Sequence, residues 1–123
     1  MGLDTTHDCW HGPYSSFNQF RHELAKQIGI DLREYMGYGG NGLKDLQSIP
    51  HDIMPLLNHS DCDGELTPDE CKKIANGLGE ILNNLKIDEE NEYLSSGSFR
   101  QHIIQFMNGC VNAAFMGEHV EFH

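Results

Sequence analysis

Basic residues are scarce in this chain: 8 Lys plus Arg stand against 19 Asp plus Glu in 123 residues. Non-specific nucleic-acid binding relies on cations that neutralise phosphates, so direct nucleic-acid binding is not expected. No apolar run approaches the roughly 20 residues needed to span a bilayer, and no signal peptide precedes the first polar residues, so no membrane association is expected. The four cysteines, Cys9, Cys62, Cys71 and Cys110, form no Cys-x-x-Cys pair, so a zinc-ribbon or thioredoxin-type motif is unsupported. Together these features suggest a cytoplasmic protein with free thiols. The glycine-rich stretch Gly37-Tyr38-Gly39-Gly40-Asn41-Gly42 lacks the Lys of a phosphate-binding loop. There is no internal repeat. The acidic balance instead favours binding of cations or of a basic protein partner.

Residues 1–123 are long enough to bury a core as one domain. The apolar spacing predicts a mainly α-helical, compact domain of about four helices. A first helix is expected from Ser16, with Gln19 as capping partner, carrying Phe17, Phe20, Leu24 and Ile28 on one face and stopping at Gly29. Short helices are expected at 31–36 and 51–58. Thr67-Pro68-Asp69-Glu70 is a strong helix start, with Thr as N-cap, Pro in the first turn and Glu at the third position. Ile74, Leu78, Ile81, Leu82 and Leu85 continue that helix. Lys86 to Gly97 reads as a solvated, charged connection. A last helix is expected from Ser98, with Gln101 as capping partner and an apolar stripe running through Phe99, Ile103, Phe106, Met107, Cys110, Ala114 and Phe115. The ending His119-Val120-Glu121-Phe122-His123 alternates, so it suits an extended strand and a short β pairing of the termini.

The chemistry concentrates in His59-Ser60-Asp61-Cys62-Asp63-Gly64-Glu65-Leu66-Thr67-Pro68-Asp69-Glu70. This is similar to the twelve-residue calcium loop of an EF-hand. With Gly64 at the sharp turn, His59, Asp61 and Asp63 fall at positions one, three and five. Glu65 offers its carbonyl at position seven, and Glu70 offers a bidentate carboxylate at position twelve. His59 replaces the usual Asp, which weakens calcium binding and opens the site to zinc. Without an ion, Thr67 and Glu70 make a capping box and Asp-x-Asp-Gly makes a turn. A softer donor set is also present near the amino terminus, in His7, Cys9 and His11. In an extended segment these three share a face, and with the loop they compose a His/Asp site able to activate water. His123 is a further candidate donor.

The segments Gly2-Leu3-Asp4-Thr5-Thr6-His7-Asp8-Cys9-Trp10-His11-Gly12 and His59-Ser60-Asp61-Cys62-Asp63-Gly64-Glu65, with the ending Glu121-Phe122-His123, resemble a family of small uncharacterised proteins from bacteria and their phages. The resemblance transfers no catalytic role. It implies a cytoplasmic location in a bacterial host. Three functions follow as expectations. The first is a metal-ion-binding protein holding calcium or zinc through His59, Asp61, Asp63, Glu65 and Glu70, with His7 and His11 as further donors. The second is an acidic inhibitor of a host defence protein. The third is a small metallohydrolase acting on a nucleotide or phosphorylated substrate.

Overall fold

The fold was obtained as a computed structural model, and the structure describes residues 2–29, 51–57, 64–85 and 89–122. It is mainly α-helical. The expected helix at 31–36 and the glycine-rich stretch at 37–42 lie outside the described residues.

The chain opens with β1 (Gly2–Asp4), a single 3-10 turn (Thr6–Asp8) and β2 (His11–Pro13). β1 and β2 pair antiparallel, with Leu3 opposite Gly12 and Asp4 opposite His11. Helix α1 (Tyr14–Gln27) follows directly. It begins two residues before the expected Ser16. Pro13 ends β2 with φ −60 and ψ 148, so it launches the helix without a side-chain cap. Phe17, Phe20, Leu24 and Ala25 are its buried apolar face.

α2 (Met54–Leu57) is a short helix with Met54, Leu56 and Leu57 buried. β3 (Glu65–Leu66) leads into α3 (Pro68–Asn83). The helix start read from Thr67 to Glu70 forms as expected, with Pro68 at the first position and both bonds of the capping box present. Cys71, Ile74, Leu78 and Ile81 turn inward.

The connection before the last helix departs from the expected solvated link. Residues Glu92–Ser95 form a helical turn, α4, because Asn91 accepts from the amides of Tyr93 and Leu94 and Leu94 is buried. α5 (Ser98–Met116) then starts from Gly97, whose φ of +85 sets the turn, and the expected Ser98–Gln101 cap does not form. α5 packs along α3 as the principal helix pair. Phe99, Ile103, Phe106, Cys110 and Ala113 are its core face. Phe115, expected in that stripe, is 90% exposed. Two residues beyond Ala113 is about 200° around a helix, so Phe115 points away from the core.

β4 (Val120–Glu121) pairs antiparallel with β3, Glu65 opposite Glu121 and Leu66 opposite Val120. A bridge between Thr5 and Phe122 joins this ribbon to the β1–β2 ribbon. The expected pairing of the termini is therefore present, and it occurs beside the metal-like loop. Aromatic rings fill the space between α1 and α5: Phe20 lies 6.0 Å from Phe99 and from Phe106 by ring centroids, and Phe17 lies 5.9 Å from Phe122.

Candidate metal centre

The exit half of the loop is built by three local devices. Gly64 sits at φ +90, a conformation that side-chain-bearing residues rarely adopt. Leu66 is fully buried and anchors β3 to the core. The capping box then fixes the first turn of α3: Thr67 Oγ1 accepts from the Glu70 amide at 3.2 Å, and Glu70 Oε1 accepts from the Thr67 amide at 2.9 Å.

The strand pairing determines where the Glu65 carbonyl points. The Phe122 amide donates to the Gly64 carbonyl at 2.9 Å, while the Glu121 amide turns the other way and donates to Thr6 Oγ1 at 2.9 Å. Antiparallel pairs alternate between hydrogen-bonded and non-hydrogen-bonded. Glu65 and Glu121 are thus a non-hydrogen-bonded pair, and the Glu65 carbonyl is directed away from β4. Position seven of an EF-type loop needs that orientation. The Glu65 carboxylate points outward, 4.0 Å from His119 Nε2.

Glu70 is in the correct first turn, but one carboxylate oxygen already serves the capping box. Each carboxylate oxygen has two lone pairs, so this bond leaves acceptor capacity on both Glu70 oxygens. His59, Asp61 and Asp63, with Cys62 and His123, lie outside the described residues. Among the described residues, no group of three or more His, Cys, Asp and Glu side chains converges as a metal-holding set.

His7 and His11 have separate surroundings. The 3-10 turn places His7 at φ +60 and Asp8 at φ +56, which rotates the segment out of the extended form in which His7, Cys9 and His11 share a face. Cys9 goes into the core. His7 faces the end of α5, with Nδ1 3.0 Å from Asn112 Nδ2 and Nε2 3.5 Å from Glu118 Oε1. His11 bridges the β1–β2 ribbon: Nδ1 is 2.9 Å from Asp4 Oδ1 and Nε2 is 2.9 Å from Asp8 Oδ1. Both ring nitrogens meet carboxylates, and the hydrogen bonds that the ring donates to Asp4 and Asp8 raise its pKa above the usual histidine value. The two carboxylates lie on opposite sides of the ring, a clamp geometry in which they share no ring nitrogen.

Two clusters, one buried and one half-buried, carry no motif in the sequence. The thiols of Cys9, Cys71 and Cys110 meet in the core, where contact with Cys71 and Cys9, together with burial, pushes the Cys110 pKa up. These cysteines act as small hydrophobes. The second cluster surrounds His102, whose Nδ1 is 2.6 Å from the Tyr93 hydroxyl and whose ring lies 4.6 Å from that of Trp10. Its signal in the sequence is slight: on α5 it sits beside the Phe99–Ile103–Phe106 face.

Burial lowers the pKa of His102 from 6.5. Stability from the neutral ring is complete above that unfolded value and is lost as pH falls from it toward the folded pKa. His11 has the opposite sign: its contribution is present below the unfolded value and is lost as pH rises through the raised folded one. Thermal melts at pH 5 and pH 7.5 test both. The wild-type chain is expected to lose more stability on acidification than His102→Gln, and less than His11→Gln. Parallel curves for wild type and His102→Gln would refute burial as the force that holds His102 neutral.

Among the described residues, no helix is long and apolar enough to cross a membrane. Compared with known proteins, the chain matches no family model, no curated protein and no solved structure.

Proposed function

We propose that this chain is a metal-ion-binding protein whose loop 59–70 holds a divalent cation. The observation that carries this reading is the direction of the Glu65 carbonyl, turned away from β4 by the β3–β4 register, as position seven of a calcium loop requires. Asp61, Asp63 and Glu70 would supply carboxylate oxygens, and His59 a ring nitrogen as ligand or as donor to a ligand. Oxygen donors outnumber the single nitrogen, which favours calcium over zinc.

The ion's role is organisational. In an EF-hand pair, the short strand at position eight pairs with a second loop. Here Leu66 pairs with Val120 of the C-terminal segment, so an ion in the loop stiffens the junction where both terminal segments meet. Its positive charge also offsets part of the net charge of −11.

The test is thermal melting of chelator-treated protein with calcium or zinc added. At a calcium concentration one hundred times the dissociation constant, binding adds about 2.7 kcal/mol, a rise of roughly 10 °C for a chain of this size. Asp61→Ala with Asp63→Ala should abolish the rise. A melt insensitive to both ions, or a double variant that keeps the rise, would remove the loop as the site. A response to zinc alone would reassign the ion.

A further inference from the structure

We infer that the outer face of α5 is the seam of a two-fold pairing between two copies of this chain, with Phe115 of each copy seated in a groove of the other. Val111, Phe115 and Met116 are the exposed large hydrophobics among the described residues, and all three lie in the last six residues of α5. They belong to a longer pattern. Gln101, Ile104, Asn108, Val111 and Phe115 follow one another at steps of three, four, three and four residues, the spacing of a helix–helix seam. This stripe lies opposite the core face of Phe106 and Cys110. A helix with apolar residues on two opposite faces has a second surface to cover.

Charge indicates what covers it. α5 contains no carboxylate and one cation, Arg100, in a chain whose net charge is −11. A basic partner gains no ion pair along this stripe. A second acidic copy meets no repulsion there, and it presents the same neutral stripe in return.

Shape indicates the symmetry. A groove of about 490 Å³ opens between the His7–Asp8 turn and the Gln101, Ile104 and Asn108 side of α5. Phe115, the most exposed of the three hydrophobics at 90%, lies toward the other end of the same helix. An antiparallel pairing with its two-fold axis at Asn108 places the Phe115 backbone level with Gln101 of the second copy, about 10 Å from the axis. Helical side chains lean toward their own N-terminus, so the ring comes down between Gln101 and Ile104, at the groove. The second Phe115 makes the same contact by symmetry. At the axis, the Asn108 amides face each other and can each donate and accept. Arg100 comes level with the second copy's helix end, beside Glu118, which gives the pairing a complementary charge at each edge.

Sedimentation velocity of the intact chain from micromolar to submillimolar concentration tests this. The mass is expected to double from 13.9 kDa. Phe115→Asp should restore the single-chain mass without lowering the melting temperature of the monomer, because the side chain touches little of its own fold. Val111→Lys is the second variant, should the first misfold. Asn108→Cys, treated with oxidised glutathione, should give a symmetric disulfide-linked dimer, with its two thiols oxidised and glutathione disulfide reduced to two glutathiones. Lys72→Cys, exposed on α3, should not. A single-chain mass at every concentration would overturn the proposal and leave the stripe to a different partner. A dimer that survives both surface variants, or an Asn108→Cys chain that does not cross-link, would overturn the placement of the seam.

Discussion

Gly109→Ala is expected to destabilise the fold by about 3 kcal/mol, at the top of the range for overpacking a core. A Cβ at this position would stand 2.4 Å from Cys9 Sγ, 2.8 Å from the His7 carbonyl oxygen and 3.1 Å from Cys9 Cα. Two of these three atoms are main chain, so no rotamer change relieves them. α5 must move off the N-terminal turn, or the turn must reopen. The turn has little latitude, since His7 and Asp8 already occupy left-handed backbone conformations. Gln105 Nε2 also donates to the Asp8 carbonyl at 2.9 Å, and any shift strains that bond. Urea unfolding checks the expectation: a loss of this size lowers the midpoint by roughly 1–2 M. Gly79→Ala is the internal control. Its Cβ would meet only Met107 Sδ at 3.6 Å, an ordinary contact, so helix propensity should leave that variant as stable as wild type or up to about 1 kcal/mol better. Equal midpoints for the two variants would mean that the close approach at Gly109 does not hold α5 in place.

Phe20→Ala is expected to cost about 3–5 kcal/mol, the range for removing a large buried ring. Phe20 is fully buried and stands among four rings: Trp10 at 5.2 Å, His102 at 5.9 Å, and Phe99 and Phe106 at 6.0 Å. Three of these neighbours lie on α5 and Trp10 lies in the N-terminal segment before β2, so no single rotation closes the void. Against a total stability of about 5–15 kcal/mol, the loss is a large part of the whole. Trp10 is the only tryptophan and stacks on Phe20, so its near-ultraviolet circular dichroism should weaken in the folded variant. Unfolding with a loss below about 1.5 kcal/mol would show that the site collapses around the missing ring.

Helix α3 was legible because its signals are local. Thr67, Pro68 and Glu70 specify a start by chemistry confined to one turn, and Ile74, Leu78 and Ile81 specify its inner face. The exit half of the loop was legible for the same reason, since the positive φ of Gly64 and the strand at Leu66 follow from a twelve-residue pattern. Other features depend on partners far along the chain. In an extended segment His7 and His11, four residues apart, share a face. Their separation arises from Asn112 and Glu118 drawing one ring, and Asp4 and Asp8 the other. Ser98 and Gln101 satisfy the capping pattern, yet Gly97 ends the preceding turn in a left-handed conformation and starts the helix without them. Phe115 has the residue type of a core position. Helical angle decides the matter, and Phe115 faces outward. Glu70 suits two roles in the sequence, cap and ligand. In the structure one of its oxygens accepts from the Thr67 amide, so the cap is the role observed.

The register of β3 with β4 also sets an order of events during synthesis. Leu66 pairs with Val120, so the ribosome must build α3, α4 and α5 before the strand beside the loop exists. A nascent chain halted at Gly117 would hold all three helices and the whole twelve-residue pattern, yet Glu65 would have no opposing strand to orient its carbonyl. On the proposed function, cation binding therefore waits for β4, and chains truncated before Val120 are expected not to respond to cation, while also losing the buried Val120 and Phe122 from the core.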